Sequence, residues 1–468
     1  MLPPTLSATE LARDLSTGRV LAVDVMQATL DRIALWNPKV NAIVGMKDRN
    51  ALMAEAQAAD EGAKIGPLHG LPVAVKDLVN VQGVISTHGS PIFRDFVPEV
   101  DDLLARRLRQ AGAILIGKTN VPEFGLGSHT FNPVYGPSRN PYNLDVSCGG
   151  SSGGAAVALA TGMTLLADGS DMMGSLRNPA AWNNVYGLRP TWGRVPSEPT
   201  GDMYLHPLST LGPMARSPQD LALLLDVLSG PDVRVPLTRA AEPISPLKPL
   251  DLEELRVGWL GNWGGNYPME PGVLSTCEAA LAVLSDLGAH VETANPNFPS
   301  ERIWNSWITL RSFAVSAGLK VQQAQRAQLK DTALWELDTG LSLSAPDIQV
   351  ASEARSDWFR ACVQLLETYD VLMLPSAQVW PFALETAWPK SIADCDMDTY
   401  HRWMEVVTPV SLLGLPSLAV PAGFGANGLP MGVQIFGRMG EDRRILEIGQ
   451  AYHQATEWPQ KVPPPVPA

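Results

Sequence analysis

Leu71-Pro-Val-Ala-Val-Lys76-Asp77 and Ala113-Ile-Leu-Ile116 are short apolar runs, and the stretch between them from Asp102 to Gln110 has a helical pattern. Strand, helix and strand at this spacing predict an α/β sheet. Toward the N-terminus, Ser7 followed by Glu10 reads as a capping box that opens a first helix. A second helix from about Val23 places Met26, Leu30, Ile33 and Ala34 on one face. Toward the C-terminus, the segment from about Asn140 to Pro196 is rich in Gly, Ser and Asn, yet it holds the apolar run Ala155 to Ala160, a packed helix, and a strand at Thr164 to Ala167. Ser217-Pro218 caps a helix through Leu228, with proline at its first position. Pro236 to Pro249 reads as a surface connection. Further strands are expected at Arg256 to Leu260, Val371 to Leu374, Ser417 to Val420 and Gly432 to Phe436, with a helix at about Gly272 to Leu287. Val462 to Ala468 is expected to be an extended or disordered Pro-rich tail.

The chain has 468 residues, 45% of them hydrophobic, enough for a continuous core. It carries 35 basic against 48 acidic side chains, a formal net charge of −13. That balance repels phosphate backbones and anionic membrane surfaces, so nucleic acid is excluded as a partner. No apolar run reaches the roughly 18 residues of a membrane span. The opening Met1 to Glu10 lacks the basic and apolar segments of a secretion signal, and the expectation is a soluble, cytoplasmic protein. Cys148, Cys277, Cys362 and Cys395 are widely separated, with no CxxC pair. They are expected to be buried thiols in a reducing compartment, and only Cys148 lies near candidate chemistry.

Three pattern matches fail on their structural context. Gly112-Ala-Ile-Leu-Ile-Gly117-Lys118-Thr119 fits a phosphate loop, but its intervening residues are themselves the strand, and Asn120-Val-Pro122 stands where a helix must begin. Gly423-Phe-Gly425-Ala-Asn-Gly428 fits a dinucleotide fingerprint, but Pro430 and a new strand leave no room for the helix that would hold a pyrophosphate. Gly149-Gly-Ser151-Ser-Gly153 fits a hydrolase nucleophile elbow, yet none of His206, His290, His401 or His453 sits in a context that marks it as the partner base.

A different constellation carries the chemistry. Ser175 lies in Asp168-Gly-Ser-Asp-Met-Met-Gly-Ser175-Leu-Arg-Asn-Pro179, a turn-forming stretch that presents a hydroxyl beside free backbone amides. A serine hydroxyl is a weak nucleophile at neutral pH and needs a base. Lys76 ends an apolar strand, where burial would lower its pKa from about 10.4 into a working range of about 7 to 8. Ser151 sits in Gly149-Gly-Ser151-Ser-Gly-Gly154, where glycine permits backbone conformations closed to other residues, so its hydroxyl can bridge two other groups. Singly, each has a plainer reading: a lysine with a solvated head, or a flexible loop.

Together these segments resemble the amidase signature hydrolases. The resemblance rests on Gly66-Pro-Leu-His-Gly-Leu-Pro-Val-Ala-Val-Lys76-Asp77, Lys118-Thr-Asn-Val-Pro-Glu-Phe124, Asn140-Pro-Tyr-Asn143, Gly149 to Gly154, Gly174-Ser175-Leu-Arg-Asn-Pro-Ala180 and Gly187-Leu-Arg-Pro-Thr191. Toward the C-terminus it includes Gly414-Leu-Pro416, Val420-Pro-Ala-Gly423 and Gly428-Leu-Pro-Met-Gly-Val-Gln434. The intervals from Lys76 to Ser151 and from Ser151 to Ser175 are similar to the family's. The resemblance implies a single-domain α/β/α sandwich around a large mixed sheet spanning residues 1–468. Residues 60–220 and 405–440 would carry the signature core, residues 230–370 a variable, substrate-facing region, and residues 459–468 the tail. It implies amide hydrolysis through an acyl-enzyme, with Ser175 as nucleophile, Ser151 in a cis peptide as proton relay and Lys76 as base. No metal or organic cofactor is implied; the partner is a small-molecule amide, and a homodimer is compatible with this reading. Carbamates and esters share the same tetrahedral chemistry. The competing readings on the same fold are a glutaminase-type subunit of an amidotransferase and a non-catalytic scaffold.

The sequence departs from that family in one place. Two glycines usually precede the nucleophile, and here the first is Met173, itself preceded by Met172. The backbone amides of Met172, Met173 and Gly174 are expected to form the oxyanion hole, with Met173 in an ordinary backbone region and at least one thioether in the core. Asp171 and Arg177 are expected to pair and brace the loop, with Ser152 supporting Ser151. Of the 13 tryptophans, Trp304, Trp307 and Trp380 are expected in the core more than in a pocket.

Overall fold

The computed structural model describes residues 6–205 and 207–466. Eleven strands form one sheet: β1 (Ile43–Val44), β2 (Pro72–Lys76), β3 (Ile114–Thr119), β4 (Leu166–Asp171), β5 (Tyr186–Arg189), β6 (Thr210–Ala215), β7 (Arg256–Trp259), β8 (His290–Thr293), β9 (Val371–Pro375), β10 (Ser417–Phe424) and β11 (Pro430–Phe436). Their spatial order is β1-β3-β2-β4-β6-β5-β10-β11-β9-β7-β8. Parallel pairs β3/β2/β4 and β9/β7/β8 flank a run of antiparallel neighbours, so the sheet is mixed. Every residue of β2, β3, β5, β9 and β11 is buried, which requires cover on both faces and yields the α/β/α sandwich.

The expected strand, helix and strand are present as Pro72–Lys76, the helix Leu103–Gln110 and Ile114–Thr119, with β2 and β3 parallel. The capped helices start where their sequences say: Ser7 Oγ accepts the Glu10 amide at the head of Ala8–Ser16, and Ser217 caps Pro218–Leu228. The Gly423–Gly428 segment is the end of β10 and the turn that follows it into β11. Within Gly112–Thr119, residues Ile114–Thr119 are the buried strand β3 itself, so the segment is not a phosphate loop.

Three expectations need correction. The strand expected at Thr164 to Ala167 runs from Leu166 to Asp171, because it pairs along its whole length with Thr210–Ala215. Residues 168–171, polar enough to read as a turn, are thereby ladder residues. Of the expected tail, Pro459 to Lys461 belong to the short helix Trp458–Lys461, and Val462 through Val466 are irregular but tethered: the Val462 carbonyl accepts from Tyr142 Oη at 2.8 Å and Asn184 Nδ2 at 3.1 Å, while Pro467 and Ala468 lie outside the described residues. Cys148, Cys277 and Cys362 are buried thiols, whereas Cys395 is exposed. Residues 1–5, half of the stretch in which a secretion signal would begin, also lie outside the described residues. Among the described residues no helix is long and apolar enough to cross a membrane.

Candidate active site

Lys76 closes β2, and its amide donates to Asp168 Oδ1 on β4 at 2.8 Å, fixing where the side chain departs. The residue is 1% exposed. Its Nζ lies 2.9 Å from Ser151 Oγ, 2.8 Å from Ser152 Oγ and 2.9 Å from Ser170 Oγ. Three hydroxyls and no ion-paired carboxylate surround it among the described residues. Burial lowers its pKa to about 7, against an opposing pull from the more distant Asp168 and Asp171.

Ser151 and Ser152 lead into the buried helix Gly153–Ala160. The Gly150–Ser151 peptide bond is cis, and Gly149 has φ +76°. The glycines here are packing devices rather than a linker: a Cβ on Gly153 would sit 2.3 Å from Thr130 Oγ1, and one on Gly154 2.3 Å from the Asn120 amide nitrogen. Ser128 Oγ lies 2.6 Å from the Gly150 carbonyl oxygen and 2.7 Å from Asn178 Oδ1, tying this turn to the segment after Ser175.

Ser175 stands between the end of β4 and the helix Arg177–Trp182. Asp171 organises the turn, with Oδ1 accepting the Gly174 amide at 2.9 Å and Oδ2 the Leu176 amide at 3.2 Å. Arg177 forks onto the same carboxylate through Nε at 3.0 Å and Nη2 at 2.9 Å, and Arg189 adds Nη1 at 3.1 Å. Arg177 Nη1 also reaches Gln434 Oε1 at 2.5 Å, bracing the turn against β11. Burial by itself would raise the Asp171 pKa, but Arg177 and Arg189 outweigh it and hold the carboxyl well below the usual range. The Asp171–Arg177 pair is therefore part of a larger buried network that includes Arg189 and Gln434, both inside segments that carry the family resemblance.

The expected amide trio changes by one member. The Gly174 N–H is directed to Asp171, whereas the amides of Met172, Met173 and Ser175 have no acceptor among the described residues. Gly174 takes the left-handed conformation, φ +76°, and Met173 does not. Met173 is 4% exposed within the core, while Met172 is half-buried and faces the cavity. The two thioethers thus take one fate each.

Ser151, Ser170, Met172 and Ser175 line one cavity of about 350 Å³. Leu78, Phe93, Phe124, Leu126, Val315 and Leu319 supply apolar walls, and His88, Ser209 and Arg311 the remaining polar groups. Phe93 packs edge-on to Phe124 with ring centroids 6.3 Å apart, and to His88 at 5.3 Å. Burial lowers the His88 pKa to about 4, with Lys118 adding to the shift, so this imidazole is neutral at physiological pH. Trp304 and Trp307 stack on one another in the core and Trp380 packs partly buried; none lines the cavity. Residues 300–319 nevertheless contribute Arg311, Val315, Gly318 and Leu319 to its wall.

The groups that mimicked other motifs are occupied elsewhere. Buried Lys118 lies 3.8 Å from Asp77 and donates to the Val79 carbonyl and to Ser86 Oγ at 3.2 Å. His401 Nε2 faces Glu336 at 2.9 Å, His453 faces Tyr186 at 3.0 Å, His290 lies on the edge strand β8, and His206 lies outside the described residues. Burial pushes the Cys148 thiol up to about 12, which leaves it an inert packing group.

Sequence residues 24–446 match the Amidase family. An acylamidase of Rhodococcus erythropolis is 34% identical over 98% of this chain and 97% of that protein. One subunit of the glutamyl-tRNA(Gln) amidotransferase of Thermus thermophilus is 34% identical over 96% of this chain and 97% of that one. The crystal structure of a bacterial aryl acylamidase of the amidase signature family superposes with a TM-score of 0.92 at 28% identity, covering 99% of each chain. Matches that run nearly end to end, on a fold with the same large mixed sheet, have one consequence: the chain belongs to the amidase signature family of amide-hydrolysing enzymes.

Proposed function

We propose that this amidase cleaves carboxylic amides with an aryl or alkyl portion, using Ser175 as nucleophile, Ser151 as proton relay and Lys76 as base. The observation that carries the reading is a buried amine, with its pKa lowered to about 7, lying 2.9 Å from Ser151 Oγ in the cavity that also holds Ser175. About half of such lysines are neutral at neutral pH and able to accept a proton.

In the acylation step the Ser175 oxygen forms a bond to the amide carbonyl carbon. Its proton passes to Ser151 Oγ while the Ser151 proton passes to Lys76 Nζ. The carbonyl oxygen becomes an oxyanion within reach of the Met172, Met173 and Ser175 amides. When the carbon–nitrogen bond breaks, the proton held on Lys76 returns through Ser151 to the leaving amine. Water then attacks the acyl-enzyme, giving a proton through Ser151 to Lys76; as the ester carbon–oxygen bond breaks, that proton returns through Ser151 to Ser175 Oγ, and the acid leaves and ionises to the carboxylate. Every group used belongs to this chain, so a homodimer would alter no step.

The apolar walls favour a free-standing acylamidase over a glutaminase subunit, because the charged head of glutamine would lose hydration against Phe93, Phe124 and Leu319. Two measurements test the proposal. A fluorophosphonate should label the wild type at Ser175 and leave Ser175→Ala unlabelled, and anilides should be hydrolysed without ATP or a second protein. Labelling that survives Ser175→Ala would overturn the assignment of the nucleophile; hydrolysis of glutamine in preference to anilides would overturn the substrate class.

A further inference from the structure

Arg311, on the helix Ser300–Leu319, is the only Arg, Lys, Asp or Glu among the described residues lining the cavity that holds Ser151 and Ser175. It is 4% exposed. Nε donates to Glu336 Oε1 at 2.6 Å and Nη2 to Tyr400 Oη at 3.2 Å, neither of them a residue that lines the cavity. Glu336 is itself held by Tyr400 Oη at 2.6 Å and His401 Nε2 at 2.9 Å. The Trp307 ring lies 5.3 Å from the guanidinium carbon and fixes its plane. Nη1 reaches the cavity-lining Met172, whose sulfur at 3.2 Å is its one partner among the described residues. A thioether is a weak acceptor, so a buried guanidinium edge is left underused in a mostly apolar chamber.

From this arrangement we infer that Arg311 is a specificity-determining residue, whose Nη1 edge binds an uncharged oxygen acceptor, a carbonyl or ether, on the part of the substrate remote from the scissile amide. The inference rests on the proposed amide hydrolysis and narrows its substrate class. An uncharged oxygen fits because Glu336 already balances the guanidinium, and a carboxylate would bring an unmatched charge into a buried site. The Met172 sulfur occupies the acceptor's place when no substrate is bound. Because the Met172 amide is one of the free donors near Ser175, displacing its side chain links recognition at Arg311 to the reacting carbonyl.

The test uses pairs of anilides that differ only in an acetyl group or the isosteric isopropenyl group, placed at the acyl terminus in one pair and para on the ring in the other. Wild type should favour the acetyl member of one pair by about 10- to 100-fold in kcat/KM. The double variant Arg311→Met/Glu336→Gln, which removes both buried charges together, should bring that ratio close to one, and Arg311→Lys should lower it while keeping the ion pair. Wild type labelled by fluorophosphonate at Ser175 but indifferent to acetyl in both pairs would overturn this inference and leave the hydrolase reading standing. A preference that persists in both variants would overturn it as well. Absence of Ser175 labelling would remove the underlying reading and this one with it.

Discussion

Lys76 Nζ and Ser151 Oγ stand 2.9 Å apart, in a setting where the amine meets three serine hydroxyls and no carboxylate within ion-pairing distance among the described residues. A lysine with an adjacent carboxylate would keep its proton. One surrounded by neutral donors and acceptors in a dry pocket surrenders it near neutrality, which is what a general base for a serine requires.

The pH dependence follows with a definite sign. Only the neutral amine accepts a proton, so kcat/KM for an anilide should fall about tenfold per unit below pH ~6 and level off above ~8. The apparent pKa should lie near the lowered value of about 7. A profile still climbing at pH 10 would mean that the amine keeps ordinary hydration.

Replacing Lys76 by methionine keeps most of the buried volume and removes the proposed base. Acylation by an activated ester or a fluorophosphonate should slow by about 10²- to 10⁴-fold. Far-ultraviolet circular dichroism should be unchanged, since Asp168 holds the backbone amide of residue 76 and not its side chain. Retention of most of the wild-type rate would identify a different base.

Asp168 influences Lys76 without touching its amine. Its negative charge raises the lysine pKa, and its Oδ1 accepts the lysine backbone amide. Asp168→Asn keeps an oxygen for that hydrogen bond and removes the charge, so the pH profile of kcat/KM should move to lower pH. A shift to higher pH, or none at all, would show that the carboxyl is already neutral or acts only through structure.

The network under the nucleophile predicts acid sensitivity. In the folded protein the Asp171 carboxyl lies below its unfolded value, because Arg177 and Arg189 outweigh the effect of burial. The stability this contributes is present above the unfolded pKa, about 3.9, and is lost as pH falls toward the folded one. Asp171→Asn should cost about 3–5 kcal/mol in urea unfolding at pH 7, because it strands two buried guanidiniums. In the wild type, by contrast, the network's contribution to stability should hold until pH falls below about 4, the unfolded value. A variant as stable as wild type would mean the network is dispensable.

How much of this is visible in the sequence depends on the range of the interaction involved. Lys76, Ser151 and Ser175 are legible because each sits in a short glycine- or proline-marked segment, and the intervals between those segments match the family. Ser170 is not, although its hydroxyl lies as close to Lys76 Nζ as that of Ser151. Its position depends on β4 continuing to Asp171, which follows from pairing with β6, and no local pattern reports a partner strand that distant in sequence. Arg311 escapes sequence reasoning for a similar reason: its helix, Ser300–Leu319, mixes tryptophan, serine and arginine on its buried side and gives no clean apolar stripe. Nor can a sequence show that the Gly174 amide, one of the three expected to face the oxyanion, turns back to Asp171.

That inward turn makes Gly174 a position where a single methyl group should disturb the turn beside Ser175. Its φ of +76° disfavours any side chain, and a Cβ would lie 2.9 Å from Val407 Cγ2, in a region where Val407 is itself fully buried. Relaxation must therefore move the 172–175 turn, which carries the free amides of Met172, Met173 and Ser175. Losing the alignment of one such donor typically costs about 10²- to 10³-fold in kcat. Gly174→Ala should accordingly lose about that much in kcat, with a smaller change in KM and a stability loss of about 1–3 kcal/mol from strain and overpacking. The double variant Gly174→Ala/Val407→Ala separates the two causes, since it removes the two nearest atoms, Val407 Cγ2 and Cγ1, and leaves the φ. Recovery of kcat in the double variant would assign the defect to Val407, and no recovery would assign it to the left-handed backbone.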